Sequence, residues 1–182
     1  MIPKRAPVTR PGSDEYASCY EKYVSLITSD DIIGVLEAQR VQMAQLLAAR
    51  SEREGNFRYA PGKWSVKEII GHVCDAERIF SYRLLRIARG DETPLAGFEQ
   101  DGYVAAGGFA ERTLADVAAE FAAVRAATMA LVQSLPPEAW KRSGTASDNP
   151  VTARALAYII AGHELHHRKI LDEKYFPAIP RA

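Results

Sequence analysis

Apolar residues recur at helical spacing through most of the chain, and this pattern predicts four long helices. They run from about residue 30 to 50, from 65 to 90, from 113 to 135 and from 152 to 175. Ser29 is a candidate N-cap for the first helix, and Ser65 with Glu68 has the form of a capping box for the second. No segment shows the sustained alternation of a strand. The pattern therefore predicts an all-α protein built as a four-helix bundle.

The segments outside these helices divide into an arm, a short helix and a long connection. Residues 1–12 are rich in Pro and Arg and predict an irregular arm, while residues 13–182 form a single predicted domain. A short extra helix is expected from Ser13, with one apolar face made by Tyr16, Tyr20, Tyr23, Val24 and Ile27.

The connection over residues 91–112 is long and rich in glycine, and connections of that length are often functional. Its aromatic residues, Phe98, Tyr103 and Phe109, either cover the mouth of a pocket or pack a crossover onto the bundle. The sequence favours neither interpretation over the other.

Composition excludes several classes of protein. The 23 basic and 23 acidic residues give a formal net charge of zero, which argues against nucleic acid or an anionic membrane as the main partner. Two cysteines cannot make a disulfide framework. No apolar run reaches the roughly 18 residues of a membrane span, and the N-terminus lacks the apolar region of a secretory signal. We therefore expect a cytoplasmic protein that acts on a small molecule.

The four histidines carry the main chemical signal. His163 and His167 are four residues apart on the last helix, so both imidazoles leave the same face, near the centre of its apolar stripe. His72 flanks the apolar stripe of the second helix. Facing helices of a bundle can bring a single histidine and such a pair together, and three imidazoles with an open fourth position form a catalytic type of metal site. Ordinary core histidines are the alternative. His166 lies off the pair and is expected outside the ligand set.

The segment His163–His167 also matches the H-E-x-x-H pattern of zinc proteases, with Glu164 as general base. The context is poor, because the extended motif would need a glycine at Ile170 and a histidine at Glu173. Glu164, or Glu77 if it faces the site, is a candidate proton acceptor. Glu77 falls inside an apolar stripe, where an ion pair with a buried arginine is the favoured interpretation. Cys74 is expected to be an inert residue at the core edge.

Three stretches together resemble the DinB/YfiT-like superfamily of small bacterial four-helix proteins. They are PGKWSVKEIIGHVCDAE around His72, RIARGDETPLAGFEQD after it, and ALAYIIAGHELHHRKIL around His163 and His167. The resemblance covers about residues 30–176. It implies that His72, His163 and His167 bind a divalent metal such as nickel or zinc.

The resemblance also implies an activity. Members are often described as metal-dependent hydrolases, and others resemble transferases or isomerases that activate a low-molecular-weight thiol; many are dimers. We therefore expect a metal-dependent enzyme, first a thiol transferase and second a hydrolase, that forms a homodimer. The non-enzymatic alternative is a metal-binding stress or sensor protein. Metal, thiol and electrophile stay open.

Overall fold

The computed structural model of the protein describes residues 8–180, and the first seven residues of the predicted arm lie outside the described part. Four long helices dominate it, as predicted. The α-helices are α1 (Glu21–Val24), α2 (Ile32–Ala48), α3 (Glu52–Gly55), α4 (Val66–Ala88), α5 (Gln100–Ala106), α6 (Leu114–Ser134) and α7 (Ala153–Ile170).

The long helices pack as a four-helix bundle. Helix α4 contacts both α6 and α7, and α2 contacts the same two helices. Within the described residues, the buried apolar side chains form two clusters. One surrounds Phe80, Leu84 and Leu156, and the other surrounds Ile70, Val73 and Phe121. His72 therefore lies on α4 where the two clusters meet. No described helix has the length and apolar character needed to cross a lipid bilayer.

The helix starts follow local hydrogen-bonding chemistry, with one correction. Ser65 and Glu68 form the predicted capping box of α4, and the side chain of Thr152 accepts a hydrogen bond from the Ala155 N–H at the start of α7. The prediction of Ser29 as the first N-cap is wrong. Asp31 accepts the bond from the Gly34 N–H and caps α2, while the Ser29 hydroxyl accepts from the Asp31 N–H one turn earlier.

A small β-hairpin contradicts the expectation of no strands. Strand β1 (Ser143–Ala146) pairs antiparallel with β2 (Asn149–Thr152) just before α7. Its turn places Ser147 and Asp148 at positive φ, of 51° and 61°. The strands have four residues each, which is too short for an alternating pattern to stand out.

The N-terminal segment is less regular than predicted. The expected single helix from Ser13 is broken into 3₁₀ turns at Ser13–Glu15 and Ser18–Tyr20, followed by the single turn of α1. Its apolar residues Tyr16, Val24 and Ile27 are nevertheless buried. The segment lies against α7, as an amphipathic segment should.

The long connection after α4 combines the two interpretations that the sequence left open. Phe109 is buried, and its ring packs so closely against Gly71 of α4 that a Cβ atom there would collide with it. This aromatic residue therefore packs on the bundle. Phe98 instead lines a cavity, and Tyr103 is largely exposed. The connection contains helix α5 and is not structureless.

Candidate metal centre

His72, His163 and His167 converge on one point in the bundle, as their positions on the helices predicted. Each offers one ring nitrogen, and these three nitrogens all lie within 4.8 Å of one another. The Nε2 atoms of His72 and His163 are 3.1 Å apart. The three ring centroids are separated by 4.5 to 4.9 Å. Helix α4 supplies the first imidazole, and one face of α7 supplies the other two.

Burial keeps these imidazoles neutral. His72 is 2% exposed and His163 is 5% exposed. Loss of hydration disfavours the charged ring, which lowers the pKa of His72 to about 4 and that of His167 to about 3. The pKa of His163 also lies well below its ordinary value, because of burial and then of the charges of the neighbouring histidines. All three rings are therefore unprotonated at neutral pH, as metal ligation requires.

The donor set fits a divalent metal ion. Nitrogens that share a tetrahedral zinc ion at about 2.0–2.1 Å lie about 3.3 Å apart, close to the His72–His163 separation. The Nδ1 atom of His167 is buried and has no hydrogen-bond partner. An unsatisfied buried nitrogen is costly, and such an atom calls for an unseen partner. Three neutral nitrogens without a carboxylate suit zinc, nickel or a similar borderline metal better than calcium or magnesium.

Aromatic rings surround the cluster. Trp64, just before α4, has its ring centroid 5.0 Å from that of His72, and Phe80 lies 5.8 Å from His163. Tyr23 of α1 contacts both His163 and His166, at 5.2 and 5.3 Å. His166 is half-buried and lies outside the group of three converging nitrogens, as expected.

A glycine allows the Tyr23 contact. A Cβ atom built on Gly162 would collide with the backbone carbonyl of Tyr23. Gly162 immediately precedes His163 in α7, so the missing side chain lets α1 lie directly on the helix that carries two of the histidines. This close approach places the Tyr23 ring edge-on to His163.

A cavity of about 250 Å³ opens beside the cluster. His72 and His163 form part of its wall. The rest comes from three segments that are far apart in the sequence: Tyr20 and Tyr23 from the N-terminal segment, Ala76 and Phe80 from α4, and Phe98, Glu99, Gln100 and Asp101 from the start of α5. Four larger cavities elsewhere in the described part contain none of the histidines. A ligand of His72 or His163 would therefore enter through this smaller opening.

Glu77 forms the ion pair that its burial favoured. Its carboxylate receives two hydrogen bonds from Arg125 of α6, both 2.8 Å long. The third nitrogen of Arg125 donates to the carbonyl of Leu36 and to Oε1 of Gln39, each at 3.2 Å. Gln39 in turn donates to the carbonyl of Ala161 at 2.8 Å. This buried cluster ties α2, α4, α6 and α7 together.

Glu164 differs from every other buried acid in the described part. The residue is fully buried, and neither carboxylate oxygen has a hydrogen-bond partner. Burial raises its pKa to about 7, against a smaller lowering by the charges of Arg125 and Arg168. Glu164 and Glu77 are both absent from the cavity wall. Their role as proton acceptors stays a prediction, and these positions do not support it. The protease interpretation of the H-E-x-x-H pattern is also weakened, because its general base would be Glu164.

Sequence reasoning missed part of this wall. The aromatic face of the N-terminal segment was recognised, but not its contact with His163. Glu99 and Asp101 received no role, although they stand in the glycine-rich connection beside Phe98. Cys74 is buried, and burial raises the pKa of its thiol, so its inert character agrees with prediction.

Comparison with known proteins places this arrangement in a family. Among solved structures, YfiT from Bacillus subtilis, described as a probable metal-dependent hydrolase with an unusual four-helix bundle topology, is similar with a TM-score of 0.72 and 17% identity over 91% of each chain. A mycothiol-dependent maleylpyruvate isomerase matches with a TM-score of 0.65 and 12% identity, over 80% of this chain and 61% of the isomerase.

A DinB-like protein from Bacillus subtilis is also similar, with a TM-score of 0.56 and 20% identity over 78% of this chain and 86% of its own. At such identities the likeness extends to the fold alone. No curated protein matches the sequence. The sequence model of the DinB superfamily, however, matches residues 36–171, which include all three converging histidines. The chain therefore belongs to the DinB superfamily.

Proposed function

We propose that this protein is a metal-dependent enzyme whose divalent cation is held by His72, His163 and His167, and that it transfers a low-molecular-weight thiol to an electrophile. The observation that carries the proposal is the convergence of three neutral imidazoles, two of which are buried and line the wall of a cavity. A cation bound by three neutral ligands supplies one kind of chemistry: it lowers the pKa of a coordinated thiol or water towards neutrality.

The residues of the chain perform the remaining tasks. Helices α4 and α7 hold the three nitrogens in place before any ligand arrives, which reduces the reorganisation needed for binding. The rings of Phe80 and Tyr23 pack against His163 and limit the access of water to it. The cavity wall beyond them selects the molecule that enters.

A hydrolase acting at the same site is the second candidate. The cavity is open to solvent and large enough to hold both water and a small substrate, and the fold is similar to that of a probable hydrolase. A metal-binding sensor without turnover is the third candidate. It predicts that metal changes stability or association while no thiol is consumed.

The decisive experiment begins with elemental analysis of untagged protein, since a polyhistidine tag would add a competing site. We expect about one divalent ion per chain in the natural protein and near zero in His163→Ala. Retention of metal at natural stoichiometry in this variant would show that the ligand assignment is wrong. His166→Ala is the matched control, because it removes a neighbouring imidazole from outside the converging group.

A panel of thiols assayed with an electrophile, such as a chlorodinitrobenzene, then separates the candidate activities. We expect loss of free thiol that depends on both metal and His163. Product formation without thiol consumption would favour the hydrolase, and metal binding without either reaction would favour the sensor.

We further propose that the protein is a cytoplasmic homodimer, on the strength of its sequence composition and family resemblance. Light scattering on the purified protein tests the dimer, for which a mass of about twice the 20.1 kDa chain is expected.

A further inference from the structure

One part of the cavity wall carries two carboxylates that have no cationic partner among the residues that the structure describes. Glu99 and Asp101 both line the cavity, and both are exposed. Neither carboxylate forms a salt bridge with any residue between 8 and 180. Other acids of the chain do have an arginine partner, as Asp91, Asp116 and Glu120 do. These two carboxylates are thus available to a ligand.

Aromatic rings complete this side of the cavity. Tyr20 meets Phe80 edge to face at 5.9 Å, and Phe80 meets Phe98 in the same manner at 6.5 Å. Aromatic faces beside carboxylates attract organic cations, because the ring quadrupole and the full negative charges act in the same direction. Asp101 and Glu99 line the same cavity as His72 and His163, so the acidic wall and the imidazoles belong to one site.

Two cationic side chains lie near these aromatic rings, and neither forms a salt bridge with Glu99 or Asp101. Lys22 lies over the ring of Tyr23, with its Nζ atom 4.8 Å from the ring centroid. It is exposed, does not line the cavity and pairs with neither Glu99 nor Asp101. Arg83 is buried, and its guanidinium carbon lies over the rings of Phe80 and Phe98, 5.9 and 6.0 Å from their centroids. It donates to the Ala96 carbonyl and the Ser147 hydroxyl. That bonding fixes the segment before Phe98 without entering the cavity.

We propose that the molecule that occupies this cavity carries a protonated amine, which Glu99 and Asp101 hold beside the ring of Tyr20 while its reactive end faces His72 and His163. This inference rests on the proposed function for the chemistry at the reactive end. It adds the charge of the substrate, which neither the fold nor the histidines specify. A cation is otherwise disfavoured beside a bound metal ion, and two carboxylates in the wall of the same cavity offset that repulsion.

The test compares two thiols that differ in the amine. Cysteamine carries an ammonium group, and 2-mercaptoethanol replaces that group with a hydroxyl. Binding to the cobalt-loaded protein is followed by the thiolate-to-cobalt absorption, which does not depend on turnover. We expect cysteamine to bind about tenfold more tightly, a preference of the size that one cation–π contact and one or two exposed ion pairs provide.

The carboxylates are then neutralised in the double variant Glu99→Gln with Asp101→Asn. Because the two thiols differ in their own acidity, the informative quantity is the change in the cysteamine preference between the natural protein and this variant. We expect it to fall at least fivefold. The control is Glu138→Gln with Asp14→Asn, which removes the same charge from residues outside the cavity wall and should keep the preference.

Each outcome separates this inference from the proposed function. If both thiols bind and the double variant retains the natural preference, the amine assignment is overturned while thiol use stands. If the double variant instead loses metal affinity with no change in the preference, the carboxylates serve the metal and the inference is wrong. If neither thiol reaches the cobalt ion, the proposed thiol chemistry fails and the amine assignment fails with it.

Discussion

Two buried polar clusters lie near each other in the bundle, and they differ in how fully their polar atoms are bonded. In the cluster of Glu77, Arg125 and Gln39, every guanidinium nitrogen has a partner and both carboxylate oxygens receive bonds. In the histidine cluster, His167 Nδ1 has no partner and the nearest neighbours of each imidazole are other imidazoles and aromatic rings. The polar atoms of the first cluster are all satisfied by bonds within the chain. The histidine cluster still has nitrogen lone pairs that a ligand could use.

The difference in hydrogen bonding indicates which of the two clusters serves the fold and which is available to a ligand. A buried polar group with all its bonds made contributes to a unique packing of helices, whereas one that lacks bonds lowers stability unless a ligand binds. Glu164 stands between the two cases, since it adjoins His163 in sequence and feels the charge of Arg125, yet bonds to neither.

The largest effect is expected from breaking the complete cluster. Arg125→Met leaves the carboxylate of Glu77 buried without a counter-charge, and removal of one partner of such a pair costs about 3–5 kcal/mol of unfolding free energy. Urea denaturation of the metal-free protein measures it. The double variant Glu77→Met with Arg125→Met should recover most of the loss, because it removes both charges. A loss of unfolding free energy below about 1 kcal/mol in Arg125→Met would contradict the view that this ion pair holds the helices together.

The next effect concerns the acid that belongs to neither cluster. The folded-state pKa of Glu164 is raised from 4.5 to about 7, so its stabilising contribution is full below about pH 4.5 and is lost as pH rises through 7. Glu164→Gln should therefore raise the unfolding free energy at pH 8 by about 3 kcal/mol and change it little near pH 4. Denaturation curves at the two pH values test this. An equal effect at both would show that ionisation of Glu164 is not responsible.

Filling the histidine cluster should give a somewhat smaller stabilisation. A metal that binds only the folded state, at a free concentration a hundredfold above its Kd, adds about 2.7 kcal/mol. Thermal unfolding with and without nickel or zinc measures this shift. It should vanish in His163→Ala and persist in Arg125→Met if that variant folds, because the two clusters serve different purposes. Equal shifts in the natural protein and His163→Ala would place the metal elsewhere.

The smallest effect is expected at Gln39, the outermost member of the cluster of Glu77, Arg125 and Gln39. Gln39→Met removes the bond to the Ala161 carbonyl and one of the bonds made by Arg125, and retains an apolar side chain of similar size. Leaving such groups without partners costs about 1–3 kcal/mol. We expect a loss of about 1.5 kcal/mol in chemical denaturation, with metal stoichiometry unchanged. Loss of metal in this variant would mean that the two clusters are not separable.

The parts of the molecule that follow from local chemistry could be predicted from the sequence. Helical periodicity located the four long helices, and the spacing of His163 and His167 with the phase of His72 predicted their convergence. Glu77 in an apolar stripe indicated a buried ion pair. Its partner could not be identified, because nothing local connects α4 with the arginine of α6.

The cavity wall could not be predicted for a similar reason. Tyr20, Phe80 and Asp101 come from three segments, and only the tertiary packing brings them together. The hairpin was missed because its register depends on the left-handed turn at Ser147 and Asp148, two residues that do not require that conformation. The backbone N–H of Leu95 donates to the Thr145 carbonyl of this hairpin. The hairpin therefore supports the segment that leads into the cavity wall at Phe98, although the hydrophobic periodicity did not reveal it.

The glycine before His163 has a consequence for anyone who wishes to reshape this protein. Because the backbone of α1 occupies the place of a side chain at Gly162, a single added methyl group there would lift the N-terminal segment, and Tyr20 and Tyr23 with it. The opening would widen while the three converging ring nitrogens stayed on their own helices. A substitution at Gly162 is therefore expected to change which molecules enter the cavity without changing the three histidines.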